Sequence, residues 1–137
     1  MNVLVDTCVW SLALRRKQLS DDAIVLELRE LISELRVLMI GPIRQELLSG
    51  VRSPAQFSNL RDRLQAFPDL ELTVGDFERA AEFFNSCRAK GIQGSNTDFL
   101  ICAVSDRLKI PILTTDGDFE LFRQIIPVRL HRPRSEC

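Results

Sequence analysis

Four acidic residues draw attention because each lies at the boundary of an apolar segment. Asp6 closes the apolar run that begins at Asn2, and Asp116 closes a second run near the C-terminus. Glu46 lies one turn into a helical segment, and Asp98 lies in the first turn of another. Acids gathered at one place repel each other, and partial burial raises their pKa unless a cation intervenes. A hard divalent cation with oxygen ligands, Mg²⁺ or Mn²⁺, would fit this set.

A cation held by these acids can lower the pKa of a bound water and hold a phosphoryl oxygen. Each acid alone also has a structural interpretation. Asp6 fits a helix N-cap, Asp98 fits a helix dipole, and Glu46 fits a solvated helix face. Asp116 fits a turn, with Asp118 as the next N-cap. The four acids together, on one expected edge, favour the metal site.

Short β-rich segments must position two of these acids. The segments lack polar alternation, which is typical of strands covered on both faces in a parallel sheet. The predicted strands are residues 2–5, 37–40, 70–74, 110–114 and 128–130. Ligands of open parallel sheets bind outside the carboxyl ends of the strands, so we expect Asp6 and Asp116 at one edge.

Helical segments alternate with these strands. Ser20 is a candidate N-cap for a helix that contains Ile24, and Ser53 begins a capping-box spacing. Gly91 stands where a helix C′ glycine would, and residues 96–108 form a helix that is apolar on nearly all sides. This alternation predicts an α/β fold with a central, mostly parallel, five-stranded sheet flanked by helices.

The length and the net charge limit the number of domains and the classes of protein that the chain can belong to. A chain of 137 residues suits one domain, which we assign to residues 1–137. The 18 basic and 19 acidic residues give a net charge of −1, which excludes a polycation but leaves nucleic acid as a ligand. The N-terminus lacks the basic region of a signal peptide, and no apolar run is long enough to span a membrane. We therefore expect a cytoplasmic protein with no membrane partner.

The cysteines and the histidine argue against zinc. The four cysteines show no CxxC spacing, and the single histidine, His131, lies in a basic tail. Cys8 and Cys102 lie among apolar neighbours, so we predict that both are small, reduced core residues. Cys102 also follows Asp98 by four residues, on the same helical face, which leaves open an approach to the site.

In their order along the chain, the acidic motifs resemble those of PIN-domain ribonucleases. The size and the tail resemble most closely a VapC-type toxin of a type II toxin–antitoxin pair. The resemblance covers nearly the whole chain, although Cys102 stands where the family commonly has alanine. The motifs are Asp6-Thr7 after an apolar strand, Glu46 in the helix after the second strand, DFLICA at 98–103, and TTDGDF at 114–119.

This resemblance implies a metal-dependent endoribonuclease. Such an enzyme cleaves phosphodiester bonds of structured or looped RNA by a metal-activated water, leaving a 3′-hydroxyl and a 5′-phosphate. The implied cofactor is Mg²⁺ or Mn²⁺. The implied catalytic acids are Asp6, Glu46, Asp98 and Asp116, of which Asp6, Asp98 and Asp116 are the metal ligands.

Residues beside these acids acquire supporting roles by the same resemblance. Asp118 would be an auxiliary acid outside the direct ligands. Thr7 and Thr115 would hold a metal-bound water or an acidic partner by hydrogen bonds.

The implied partners are an RNA substrate, a cognate antitoxin protein and a second copy of the chain in a homodimer. Arg15, Arg44 and Arg52 are candidate phosphate contacts, although arginines of this kind are more often solvated or salt-bridged. The basic tail, residues 129–137, is expected to be partly loose.

Other functions remain open at this point. The chain fits a PIN-type nuclease of RNA processing that is not a toxin, or an inert PIN-like module that binds RNA or protein. Phosphoryl transfer fits less well. A receiver domain needs a lysine at a late strand end, whereas Lys109 precedes its strand, and a dehalogenase-like phosphatase needs an aspartate where Cys8 stands.

Overall fold

The structure is a computed structural model that describes residues 1–15 and 22–134, with the side chain of Arg15 left out of the description. The elements in chain order are β1 (Val3–Val5), α1 (Thr7–Arg15), α2 (Ala23–Ser33), β2 (Val37–Leu38), α3 (Gly41–Leu48), α4 (Pro54–Leu64), α5 (Val74–Ala89), α6 (Asn96–Leu108), β3 (Ile112–Leu113) and α7 (Asp118–Phe122).

The sheet is parallel, with the strand order β2-β1-β3. Val3 lies opposite Val37 on one side of β1, and Val5 lies opposite Leu113 on the other. All three residues of β1 are fully buried, because helices cover both faces of the central strand. The α/β fold and the parallel sheet are thus confirmed.

We predicted five strands, whereas the sheet of the described residues has three. The predicted segment 128–130 contributes one parallel bridge, Leu130 with Ile112, and Asp69, just before the predicted segment 70–74, forms another with Met39. These bridges extend the sheet at both edges without forming a strand.

The predicted strand at 70–74 does not form, and a helix begins at its last residue. The hydroxyl of Thr73 accepts a hydrogen bond from the Asp76 backbone N–H at 3.1 Å, and the Asp76 carboxylate accepts one from the Thr73 N–H at 3.0 Å. This reciprocal capping box satisfies two free donors of α5 and fixes its start at Val74.

The predicted helix boundaries agree with the structure in several places. Ser53 caps α4 by accepting a hydrogen bond from the Gln56 N–H at 3.3 Å. Gly91 takes the left-handed conformation, with φ 78°, just beyond α5. At α2, however, the N-cap is Asp22, whose carboxylate accepts from the Ile24 N–H, and the predicted cap Ser20 lies outside the described residues.

Helix α6 runs through the core, as its apolar sequence predicts. Seven consecutive residues from Phe99 to Ser105 are buried, and the helix packs against α5 and β3. The first turn of α6 contains Asp98, whose carboxyl interacts electrostatically with Asp6 and Asp116. This turn therefore lies near the edge where β1 and β3 end. No helix of the described residues is long and apolar enough to cross a membrane.

The prediction of a loose tail was wrong for residues 129–134. The backbone of His131 bonds to that of Ile112, and its ring nitrogen Nε2 lies 2.7 Å from the Glu27 carboxylate. Arg134 donates to the same carboxylate from its backbone N–H and its Nε. Glu27 is only 3% exposed, so a buried acid of α2 holds the tail. Residues 135–137 lie outside the described part of the chain.

Candidate active site at the carboxyl edge of the sheet

Asp6 is the buried centre of this edge. It follows β1 directly and is 5% exposed. Its Oδ1 accepts the Thr7 backbone N–H at 2.7 Å, and its Oδ2 accepts the Thr114 hydroxyl at 2.8 Å. Because β3 lies beside β1 in parallel, Thr114, which follows β3, lies next to Asp6, which follows β1. The carboxylate is thereby fixed by neutral donors.

Asp116 is joined to Asp6 through the same hydroxyl. The Thr114 oxygen accepts the Asp116 backbone N–H at 3.0 Å while it donates to Asp6. The Asp116 carboxylate accepts the Asp118 N–H at 2.9 Å, which closes an Asx-type turn before α7. Asp118 therefore contacts Asp116 through its backbone, and its exposed carboxylate is free of ion pairs with the described residues.

Asp98 approaches from the first turn of α6. It forms a reciprocal capping box with Ser95, whose backbone N–H donates to the Oδ2 of Asp98 at 3.0 Å. Oδ1 accepts no hydrogen bond from the described residues. The structural interpretation of this acid, a helix-terminal stabiliser, therefore holds alongside any role in a site.

Two of these carboxyls have raised pKa values. Burial is the main cause for Asp6, and the hydrogen bonds from Thr114 and Cys8 offset it only in part. Burial also raises the pKa of Asp98, and the negative charges of Asp6 and Asp116 raise it further. No Lys, Arg or His of the described residues forms an ion pair with any of these three aspartates. The edge therefore has a local excess of negative charge.

Glu46 is more exposed and lies on α3. The Thr7 hydroxyl donates to its Oε1 at 2.6 Å, which ties the first turn of α1 to α3. Thr7 thus has an acidic partner, one of the two roles that the sequence suggested. Its backbone N–H meanwhile holds Asp6, so this one residue connects two of the predicted acids.

Cys8 belongs to the site, and the prediction that it is a core residue was wrong. It is only partly buried, and its thiol donates to the Oδ2 of Asp6 at 3.3 Å. Thr115 donates to the sulfur from its hydroxyl at 3.2 Å and from its backbone N–H at 3.4 Å. Cys102, by contrast, is fully buried in the core, as predicted.

Sequence reasoning missed Thr114 as well as Cys8. The bond of Thr114 to Asp6 was hidden from local patterns, since Asp6 lies 108 residues away. A local signal was present, because a threonine two residues before an aspartate often bonds that residue's backbone N–H.

The candidate phosphate-binding arginines have different surroundings. Arg44 is engaged through all its nitrogens, with the Asp69 carboxylate at 3.0 Å and the backbone carbonyls of Leu64 and Phe67. Arg44 therefore holds the segment after α4, and its nitrogens are not free to bind a phosphate. Arg52 is exposed, and the side chain of Arg15 lies outside the description.

The donor chemistry of the edge fits a hard divalent cation. Its ligand candidates are carboxylate oxygens, and a cation beside Asp6 and Asp98 would favour their charged forms, which burial disfavours by raising the pKa of both carboxyls. Within the described residues, no three His, Cys, Asp or Glu side chains converge closely enough to hold a metal by themselves.

A family model described as the PIN domain matches residues 3–124. The chain therefore belongs to the PIN-domain family, whose members are generally nucleases. No curated protein matches the sequence.

Solved structures share this fold at low sequence identity. FitAcB from Neisseria gonorrhoeae has a TM-score of 0.74 and 22% identity, covering 96% of this chain and 97% of that chain. VapBC2 from Rickettsia felis, bound to a DNA fragment from its promoter, has a TM-score of 0.75 and 17% identity over 96% and 98%. A toxin–antitoxin complex from Klebsiella pneumoniae has a TM-score of 0.63 and 15% identity over 86% and 90%.

Proposed function

We propose that this chain, as a single domain over residues 1–137, is a Mg²⁺- or Mn²⁺-dependent endoribonuclease and the toxin of a toxin–antitoxin pair. The observation that carries the proposal is the buried carboxylate of Asp6, whose pKa is raised and whose hydrogen-bond donors among the described residues are all neutral. A buried acid without a cation is costly to a fold, and such groups are concentrated at functional sites.

The residues at the carboxyl edge of the sheet would have different roles in the reaction. Asp6, Asp98 and Asp116 would hold the ion, which when bound supplies a nucleophilic water at neutral pH and positive charge against a phosphoryl oxygen. Thr114 keeps the Asp6 carboxylate in place from one side and the turn at Asp116 in place from the other. Glu46, exposed and held by the Thr7 hydroxyl, would accept a proton as a general base.

An antitoxin partner is supported by a groove that opens beside this edge. The groove has a volume of about 600 Å³, and it runs from Cys8 and Thr115 to the apolar side chains of α1, α3 and α4. An apolar segment of a partner protein that lay here would contact Cys8, whose thiol donates to Asp6, and Thr115. One solved structure with this fold is itself a toxin–antitoxin complex.

A homodimer is supported by a separate apolar surface. Val74 and Phe77 on α5 are exposed, and a cavity of about 430 Å³ lies between Phe77, Pro42 and Leu100. Exposed apolar side chains grouped in this way are typical of surfaces that bind another protein.

The test compares Asp98→Asn with Asp106→Asn, an equivalent change at the other end of α6. With purified protein and single-stranded RNA, we expect Asp98→Asn to lose more than about 100-fold in cleavage rate, the scale of a single catalytic group. Asp106→Asn should cleave like the unmodified protein, and EDTA should stop both. Full activity of Asp98→Asn, or cleavage in excess EDTA, would overturn the proposal. RNA binding without cleavage by the unmodified protein would favour an inert module.

A further inference from the structure

A second cavity adjoins the carboxylate edge on the side of the tail. Its volume is about 310 Å³, at the small end of the range for ligand sites. Thr114, Thr115 and Asp116 line it from the site already described, and Ile24 of α2 lines it from across. The tail closes the remaining side with the run from Leu130 to Pro133. The cavity is therefore continuous with the candidate active site.

The tail residues that line the cavity are held in place by the buried carboxylate of Glu27. The buried Glu27 carboxylate binds His131 on one side of Arg132 and Arg134 on the other. Leu130 is held by its bridge to Ile112. The backbone on both sides of Arg132 is thus anchored, so the position of this residue at the cavity is set by the fold.

Arg132 itself is weakly engaged. Its side chain is 67% exposed, and its ion pair with Glu120 spans 3.8 Å between exposed groups. Such a pair contributes little, so the guanidinium is available for another anion at small cost. A guanidinium offers a planar fork that matches a phosphate.

We propose that this cavity is a nucleotide subsite for the RNA strand next to the cleaved phosphate. The apolar side chains of Ile24, Leu130 and Pro133 would contact the base or ribose, and Arg132 would bind a flanking phosphate. Apolar contact to an unstacked base, combined with a cation on the backbone, is how single-stranded RNA is commonly held. The inference rests on the proposed function, because it assigns the substrate that the carboxylate edge would cut.

The test measures binding of a short, fluorescently labelled single-stranded RNA in excess EDTA, which prevents cleavage under the proposal. Arg132→Gln should weaken binding by roughly tenfold, as loss of a charged hydrogen bond does. The slope of log affinity against log salt should fall by about 0.7, the value for one phosphate contact on a single strand. Arg129→Gln is the matched control. It removes the same charge from the same tail, where Arg129 is 42% exposed and pairs with Asp106 at 3.4 Å.

A second measurement locates the ligand. Methyl groups of Ile24 and Leu130 should shift in NMR spectra when a 5′-nucleoside monophosphate is added, and Arg132→Gln should reduce those shifts. Equal RNA affinity for the Arg132 and Arg129 variants, or methyl shifts confined to other parts of the molecule, would overturn the subsite while cleavage by the unmodified protein persisted. A protein that neither binds nor cuts RNA would overturn the proposed function together with the subsite.

Discussion

Three acids among the described residues are almost completely buried, and their surroundings divide them into two kinds. Glu27 and Asp76 lie away from the carboxyl edge, and each is bonded to a cationic side chain. Asp6 lies at the edge, and its partners within residues 1–15 and 22–134 are neutral groups. The pKa of the first two carboxyls is lowered, whereas that of Asp6 is raised.

Burial acts in the same direction on all three. It would raise the pKa of Glu27, but the hydrogen bonds from His131 and Arg134 outweigh it. It would raise the pKa of Asp76, but Arg107 donates to both carboxylate oxygens, at 2.7 and 2.9 Å, and the Thr73 N–H adds a further bond. At these positions the fold supplies its own counter-charge.

At Asp6 the fold supplies hydroxyl, thiol and amide donors instead. These orient the carboxylate without neutralising it, and Asp116 and Asp98 add negative charge nearby. The comparison indicates that the scaffold pairs its buried charges internally, whereas the edge depends on a cation from outside. Breaking a pair and removing the unpaired charge should therefore have opposite effects on stability.

The largest effect is expected from Arg107→Leu, which leaves the Asp76 carboxylate buried without its cation. We expect a loss of about 3 kcal/mol in the free energy of unfolding, as for other half-removed buried pairs. Urea denaturation measures this. The control is Arg61→Leu, whose exposed pair with Asp62 should be worth less than about 0.5 kcal/mol. Equal losses in the two variants would show that the buried pair is not special.

A smaller effect of opposite sign is expected from Asp6→Asn. In EDTA, removal of the unpaired charge should raise the melting temperature by roughly 2–5 °C, while an amide keeps hydrogen bonds to Thr7 and Thr114. The matched change Asp76→Asn should lower the melting temperature, because it removes the partner of Arg107. If Asp6→Asn were destabilised like Asp76→Asn, the Asp6 charge would be a stabilising one and the comparison would fail.

The smallest effect concerns pH, and its sign differs between the two kinds of acid. Glu27 has a lowered pKa, so its stabilisation is present above its ordinary value of 4.5 and is lost as pH falls through the folded value. Asp6 has a raised pKa, so its contribution is favourable below its ordinary value of 3.8 and is lost as pH rises through the folded value. At neutral pH, Glu27→Gln should be less stable than the unmodified protein, and Asp6→Asn should be more stable. Both differences in stability should become smaller as the pH falls. Thermal melts from neutral to acidic pH measure them, and a pH-independent offset for either variant would contradict this assignment.

The positions of the acids were predictable from the sequence because they follow from local patterns. Asp6 ends an apolar strand, and Asp98 begins an apolar helix, so a parallel sheet alone places them near one edge. Contacts that join distant parts of the chain were not predictable in this way. The Thr114 and Cys8 bonds to Asp6 and the Glu27 bonds to the tail depend on the packed fold, and nothing in their local sequence indicates them.

The sheet shows a similar limit. The central strand was predictable because it is apolar without alternation. The segment at 70–74 is also rich in apolar residues but contains Glu71 and Thr73, and a helix begins there at the Thr73–Asp76 capping box. The basic tail was predicted to be partly loose because it lies at the C-terminus. In the structure those charges are ion pairs, with Glu27 and Glu34 from α2 as the partners of Arg134.

The most direct test of the central claim is a calorimetric titration of Mn²⁺ into the metal-free protein and into two variants. The unmodified protein should bind the ion, Asp6→Asn should bind it at least about tenfold more weakly, and Glu27→Gln should bind it like the unmodified protein. The last variant also changes a buried acid, but one that already has its own cations. Absence of binding to the unmodified protein, or equal binding by Asp6→Asn, would contradict the account.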